Sequence, residues 1–248
     1  MGASLKKAGL LLTTTLGFLS AFLFFLPADV LNQALKKASD NRISLVAVSG
    51  TAWQGSAQIA IFDGQTKMAL PGRLVWDTHW LPVASGGLPG ISVSHPVMPE
   101  LLQISWQENR WRISGNQLRF PASWLVATGT PWNTIKPAGN VSIVWADIFS
   151  DSAFTLKIQW QDAQSALSVV KPLGHYEVLA TVEKQGTLRA DLSTLSGDLK
   201  LEGQAAWSAT DGFSFKGYAT PSASQQVALT GLLSQMGRQE NNRYRLGS

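Results

Sequence analysis

Short segments that alternate apolar and polar residues fill the chain from Ile43 to its end, and they constrain the fold more than any other feature. Side chains on a strand point to opposite faces in turn, so this alternation is typical of strands that bury one face. Turn residues separate the segments, and QENR at 107–110 and EKQG at 183–186 are predicted hairpin tips. The pattern predicts an all-β soluble domain, mostly antiparallel, built as curved sheets or a sandwich with a few short helices.

Two later segments interrupt the strand pattern. PASWLVATGTPWN, which starts at Pro121, predicts one short helix. SASQQVALTGLLSQMG predicts a second helix, with Ser222 or Ser224 as its N-cap and Gly237 as its stop. The segment RYRL near the C-terminus predicts a final short strand.

The N-terminus carries a long uncharged run. Residues 8–26 hold no charged side chain, and Lys6 and Lys7 precede the run while Asp29 follows it. As a helix the run would be about 28 Å long, close to the hydrocarbon thickness of a bilayer. It predicts an uncleaved transmembrane anchor with residues 1–7 in the cytoplasm, and a cleaved signal peptide is the alternative. Both interpretations export everything after the run.

Residues 27–42 link the run to the strands. Pro27 could open a helix that Asp29 caps, and Leu31, Leu35 and Ala38 share one face at helical spacing. We predict a juxtamembrane helix here, with a simple linker as the alternative. The β domain then covers 43–248. One interpretation is that this domain consists of two similar halves, at about 43–135 and 136–248, that arose by internal duplication. The other is that the two halves share only the similar composition found in any antiparallel sheet.

The composition offers little for chemistry. Cysteine is absent, so thiolate catalysis and thiolate metal sites are excluded. His79, His95 and His175 stand far apart without ligand spacing, and we interpret them as surface or strand-end residues. No nucleophile or phosphate-binding motif accompanies them. We therefore predict no enzyme activity, no cofactor and no metal.

Nucleic-acid binding is also disfavoured. The net charge is only +4, far from the clustered basic surface that such binding uses. Arg110 and Arg112 flank Trp111, but on a strand the two arginines point one way and the tryptophan the other. We predict a solvated basic face with Trp111 buried.

Two short motifs carry a family resemblance. The first is Ser-Gly-Thr-x-Trp-x-Gly, formed by Ser49, Gly50, Thr51, Trp53 and Gly55. The second is Gly-x-hydrophobic-x-Trp, formed by Gly72 and Trp76 in LPGRLVWDTHW. With the anchor and the later blocks LGHYEVLATVEKQG, TLSGDLKLEGQAAW and LLSQMGRQENNRYRL, the chain resembles type II secretion system protein N along nearly its whole length.

The resemblance implies a bacterial inner-membrane protein with a periplasmic β domain that assists export of folded proteins across the outer membrane. It implies protein C, the secretin and the inner-membrane platform as partners, with exposed sheet edges available for β-augmentation. The alternative function is lipid carriage, with an acyl chain held in a curved sheet like those of AsmA-like proteins. Trp53 is interpreted either as a core residue that anchors its turn or as part of a docking surface.

Overall fold

The structure is a computed structural model that describes residues 24–62, 67–80, 89–115, 117–130, 132–184, 186–241 and 243–247. Lys6, Lys7 and nearly all of the predicted span at 8–26 lie outside these residues, so the anchor stays a prediction. Within the described ranges, no helix has the length and apolar character needed to cross a bilayer.

Antiparallel strands make up most of the described chain, as the alternation predicts. In chain order they are β1 (Ile43–Gly50), β2 (Gln54–Phe62), β3 (Lys67–Ala69), β4 (Leu74–Trp80), β5 (Pro89–Ser94), β6 (Leu102–Gln107), β7 (Arg110–Ser114), β8 (Gln117–Pro121), β9 (Pro137–Trp145), β10 (Ile148–Phe149), β11 (Phe154–Ser165), β12 (Gly174–Val182), β13 (Leu188–Gly197), β14 (Leu199–Ser208), β15 (Gly212–Pro221), β16 (Arg238–Glu240) and β17 (Arg243–Gly247).

The strands form two sheets. The first has eight strands in the order β1-β2-β4-β5-β6-β7-β10, with β3 also paired to β2. The second has nine strands in the order β16-β17-β15-β14-β13-β12-β11-β9-β8. Every pairing between the described strands is antiparallel, so the antiparallel prediction is confirmed. The division into two similar halves stays a prediction.

The sheets meet where two chain segments pass from one to the other. β7 and β10 belong to the first sheet, whereas their continuations β8 and β9 belong to the second. Ile113 pairs with Ile148 in the first sheet, and Gln117 pairs with Val144 in the second. The number of residues from 113 to 117 on one segment equals the number from 144 to 148 on the other. The two ladders therefore share one register across the break. Gly115 lies in that break with φ +99°, a conformation that favours glycine.

Both predicted hairpin tips are confirmed. Glu108 and Asn109 join β6 to β7 with φ of 49° and 63°, the positive values that a tight two-residue hairpin turn requires. At the second tip, the Glu183 amide donates to Thr187 at 2.8 Å. The prediction that Trp111 is buried was wrong, because its side chain is 43% exposed. It packs edge-on against its cross-strand partner Trp106, with ring centroids 5.1 Å apart.

Within the part of the chain that the structure describes, helices are few and short, as predicted. They are α1 (Asp29–Ala38), a 3₁₀ helix (Ala122–Thr128), α2 (Trp132–Ile135) and α3 (Gln226–Met236). The predicted caps were wrong. Ala28 occupies the N-cap of α1, and the Asp29 carboxylate instead accepts from the side chain of Asn32 at 3.2 Å. Gln225, rather than either serine, occupies the N-cap of α3, whereas Gly237 ends that helix as predicted.

Each sheet has its own buried core beneath one helix. Ala28, Leu45, Ala57 and Trp76 form the first core, with Leu31 and Leu35 of α1 packed against it. The second core joins β14, β15 and β17 to the buried face of α3. Its members are Leu173, Leu199, Ala219, Leu229, Leu232, Leu233, Tyr244 and Leu246. A helix thus packs on the sheet near each end of the strand order.

Candidate functional site: the turn that holds the N-terminal segment

The Ser-Gly-Thr-x-Trp-x-Gly motif forms the tight turn between β1 and β2. Gly50 has φ +91°, and a Cβ there would lie 2.4 Å from the Gln54 main-chain oxygen, so glycine is required. Thr51 closes the turn with its hydroxyl, which accepts from the amides of Trp53 at 3.3 Å and Gln54 at 3.1 Å. The motif therefore encodes a specific backbone path.

The second motif locks this turn from the neighbouring strand. Gly55 pairs with Trp76 across β2 and β4, and a Cβ on Gly55 would lie 2.6 Å from the indole ring. The Trp76 indole Nε1 donates to the Thr51 main-chain oxygen at 3.2 Å, and Trp76 is only 4% exposed. Gly72 lies elsewhere, against Pro96 and His95. The structure therefore brings Trp76, but not Gly72, to the first motif.

Trp53 is not the core tryptophan of this site. Its side chain is 42% exposed, so the interpretation of Trp53 as a core residue was wrong. Its main-chain oxygen accepts from the Thr78 amide of β4 at 2.7 Å, which holds the residue to the sheet. The tryptophan that is buried in the core at this turn is Trp76, and not Trp53 as the sequence analysis allowed.

The segment that enters the domain is bound to the same turn. The Ala52 amide donates to the Leu26 oxygen at 2.8 Å, and the Ala28 amide donates to the Gly50 oxygen at 3.3 Å. Pro27 and Thr51 form an isolated antiparallel bridge between these two bonds. The chain that leaves the uncharged N-terminal run thus adds a short strand to the turn. Sequence reasoning missed this contact.

Arg73 is a second feature that the sequence did not reveal, although it stands directly after Gly72. Its Nη2 donates to the side chains of Ser56 at 2.8 Å and Ser49 at 3.3 Å, and to the Ala47 oxygen at 3.0 Å. Ala47 has φ +50° and lies where the register of β1 and β2 shifts. Arg73 therefore braces an irregular part of β1 just before the turn.

Helix α1 closes the outer edge of β1. The buried Asn32 side chain accepts from the Leu45 amide at 2.8 Å through Oδ1, and the Ser39 hydroxyl accepts from the Ile43 amide at 3.0 Å. These amides would otherwise be free to pair with another strand. A shallow cleft of about 420 Å³ remains between the start of α1 and β1. The expectation of β-augmentation therefore does not apply at this edge.

The opposite end of the strand order leaves an edge open. β17 pairs with β15 only over Lys216–Ala219, so no described strand lies on that side of 212–214. Phe213 is 70% exposed there, and its cross-strand partner Trp207 is 44% exposed. Leu188, Val182 and Phe154 continue the same row across three more strands. We call these five side chains the apolar row.

The apolar row belongs to a larger apolar face of the second sheet. Residues directly opposite in antiparallel strands share a face, so the register places all the following together: Val141, Ile143 and Trp145 of β9, Leu156, Ile158 and Trp160 of β11, Tyr176, Val178 and Ala180 of β12, Ala190 and Leu192 of β13, and Ala205 of β14. Most of them stay partly exposed. The opposite face carries polar pairs such as Lys157 and Glu177, whose charged atoms lie 2.9 Å apart.

The three histidines are not brought together in any described cluster. His95 is buried beside Trp124, and burial lowers the pKa of its imidazole. His175 accepts from the Asp162 amide at 3.2 Å through Nδ1, and His79 lies against Gly90. Across the described residues, no three His, Asp or Glu side chains are grouped so as to hold a metal ion.

The fold and site define a class of protein with an antiparallel β domain. In this class, main-chain hydrogen bonds join the turn between β1 and β2 to the N-terminal segment that enters the domain. A family model described as Type II secretion system (T2SS), protein N, matches residues 41–247. The chain therefore belongs to the type II secretion system protein N family, as the two motifs indicate. No curated protein and no solved structure matches the chain. Family membership gives it an accessory role in type II secretion, a process of the cell envelope, with other components of that system as expected partners.

Proposed function

We propose that the chain is an accessory inner-membrane component of the type II secretion system that presents a docking surface in the periplasm. In this proposal residues 8–26 span the membrane, residues 1–7 are cytoplasmic and 43–248 form the periplasmic domain. The Ser-Gly-Thr-x-Trp-x-Gly turn positions the domain on its anchor. Protein C, the secretin and the inner-membrane platform are the candidate partners. The proposed docking role involves no cofactor.

One observation supports docking, namely the open edge of β15 beside the apolar row. An unpaired strand edge offers main-chain donors and acceptors to an incoming extended segment. Phe213 and Trp207 would supply apolar contacts to the alternate side chains of that segment. The edges of β1 and β16 are less suited, because α1 closes β1 and because β16 has only three residues, including the charged Arg238 and Glu240.

Photocrosslinking in cells tests this proposal. A photoreactive residue at Phe213 or Ser214 probes the open edge, and one at Ser193 serves as the control because it is exposed on the polar face of β13. We expect adducts with another type II secretion component from the edge positions and none from Ser193. The proposal is overturned if the edge positions yield no such adduct while the protein is present at normal abundance.

The apolar face supports a second candidate function, which is lipid carriage. Its partly exposed residues run across neighbouring strands, and an acyl chain lying on them would remove apolar area from water. Lipid analysis of the purified protein, compared with the variants Leu192→Glu and Ser193→Glu, tests this candidate. Leu192 lies on the apolar face and Ser193 on the polar one, so only the first substitution should remove co-purifying lipid. Equal lipid content in both variants would exclude the apolar face as the binding surface.

A further inference from the structure

Three exposed aromatic residues lie close to the point where the chain enters the domain. Phe24 and Phe25 are each 72% exposed, and Trp53 is 42% exposed. The hydrogen bond between the Leu26 oxygen and the Ala52 amide, 2.8 Å long, lies one residue from Phe25 on one side and one residue from Trp53 on the other. The turn therefore brings aromatic residues from two distant parts of the sequence to one end of the first sheet.

The uncharged run ends at this same hydrogen bond. Residues 8–26 are long enough, as a helix, to cross the hydrocarbon core, and Leu26 is the last of them. A span that starts after Lys6 and Lys7 would reach the opposite membrane surface at Phe24 to Leu26. The turn binds Leu26, so the surface that would cover the exposed aromatic rings is that of the bilayer.

We infer that Trp53, Phe24 and Phe25 form an aromatic seat in the outer interface of the membrane that the anchor crosses. This inference rests on the anchoring in the proposed function, and it assigns a ligand, the phospholipid interface, to the first motif. Tryptophan is enriched at this depth because its ring is apolar and its indole N–H can still hydrogen-bond. The next charged residue, Asp29, has its carboxylate engaged by the side chains of Asn32 at 3.2 Å and Gln33 at 3.4 Å.

The aromatic seat would fix the orientation of the whole domain relative to the membrane. Trp53 is held on both sides, because its amide donates to the Thr51 hydroxyl and its oxygen accepts from the Thr78 amide. Trp76 and Gly55 hold the turn against β4, and Asn32 holds α1 against β1. Contact between the Trp53 ring and lipid is therefore transmitted to the sheet through several hydrogen bonds, and the domain cannot swing freely about Pro27.

The absence of cysteine makes a depth measurement direct. Single-cysteine forms of the full chain, Phe25→Cys, Trp53→Cys and Phe213→Cys, are labelled with an environment-sensitive fluorophore. They are reconstituted in vesicles of phosphatidylcholine and phosphatidylglycerol with or without lipids that carry a nitroxide quencher. Phe25 reports the end of the span, and Phe213, which is 70% exposed at the opposite end of the strand order, is the control.

We expect strong quenching at positions 25 and 53, at least twofold above the quenching at position 213. Quenching at 25 with quenching at 53 no greater than at 213 overturns the seat and leaves the anchor intact. Protein that does not float with the vesicles overturns the anchor and the seat together. The Trp53→Tyr variant, labelled at 25, should keep the probe depth found with Trp53, whereas Trp53→Ser should shift it; equal depths in both variants would also overturn the seat.

Discussion

The indole N–H of Trp76 donates to the main-chain oxygen of Thr51 at 3.2 Å, which joins the two sequence motifs in one structural unit. Thr51 lies in the turn that binds the entering chain, and Trp76 lies on β4 in the core beneath α1. The hydrogen bond thus joins two residues that are 25 positions apart in the sequence, one from each motif. The contacts of the two motifs therefore stabilise the turn.

Replacing Trp76 by Phe should destabilise the protein by about 2–4 kcal/mol. The substitution removes a buried hydrogen bond, leaves the Thr51 oxygen without its donor and creates space beside Gly55. Urea unfolding of the purified protein measures the free energy. The matched control is Trp207→Phe, since Trp207 is 44% exposed and should tolerate the change within about 0.5 kcal/mol. Equal losses in both variants would contradict the supporting role of Trp76.

Two glycines should respond to alanine in opposite directions. A Cβ on Gly55 would lie 2.5 Å from the Ser49 oxygen and 2.6 Å from the Trp76 ring, so Gly55→Ala should cost about 1–3 kcal/mol. Gly231 lies within α3 and has nothing within 4 Å of the added carbon. Gly231→Ala should therefore stabilise the protein by about 0.5–1 kcal/mol through helix propensity. Thermal unfolding measures both changes, and a stabilising Gly55→Ala would disprove the close packing at the turn.

The strand content could be predicted because strand side chains alternate between a buried and an exposed face along most of the chain. The sequence could not predict which of the two tryptophans is buried, because Trp53 and Trp76 both follow small or β-branched residues. Their difference comes from the pairing of Gly55 with Trp76 across β2 and β4, a long-range register. The contacts of Asn32 and Arg73 were missed for the same reason, since each bonds to residues distant in sequence.

Asn32→Ala should open the edge of β1. The Leu45 amide would lose its acceptor, and a buried amide without a partner costs about 1–3 kcal/mol. We expect faster hydrogen exchange at Leu45, measured by mass spectrometry on overlapping peptides, and a greater tendency to self-associate through the freed edge. Gln33→Ala is the matched control, because Gln33 is its exposed neighbour on α1 and bonds only weakly to Asp29. Unchanged exchange in the β1 peptide of Asn32→Ala would contradict this account of the edge.

Stability should fall at alkaline pH through Tyr176. Its hydroxyl donates to the Leu199 oxygen at 2.8 Å, and burial raises the pKa of that hydroxyl above its ordinary value of about 10. Because the folded state keeps the proton to higher pH than the unfolded chain does, the contribution to stability is complete below about pH 10. It is lost as the pH rises from there toward the raised pKa.

The variant Tyr176→Phe separates this effect from other alkaline titrations. It should cost about 1 kcal/mol at neutral pH, because it removes one buried hydrogen bond and leaves the Leu199 oxygen without its donor. Between pH 10 and 11 the variant should lose less stability than the unaltered protein, since its buried ring has no proton to lose. Tyr218→Phe is the control, because Tyr218 is only partly buried and stacks with Arg243 at 3.7 Å. Parallel stability curves for Tyr176→Phe and the unaltered protein over this range would show that Tyr176 does not carry the alkaline loss.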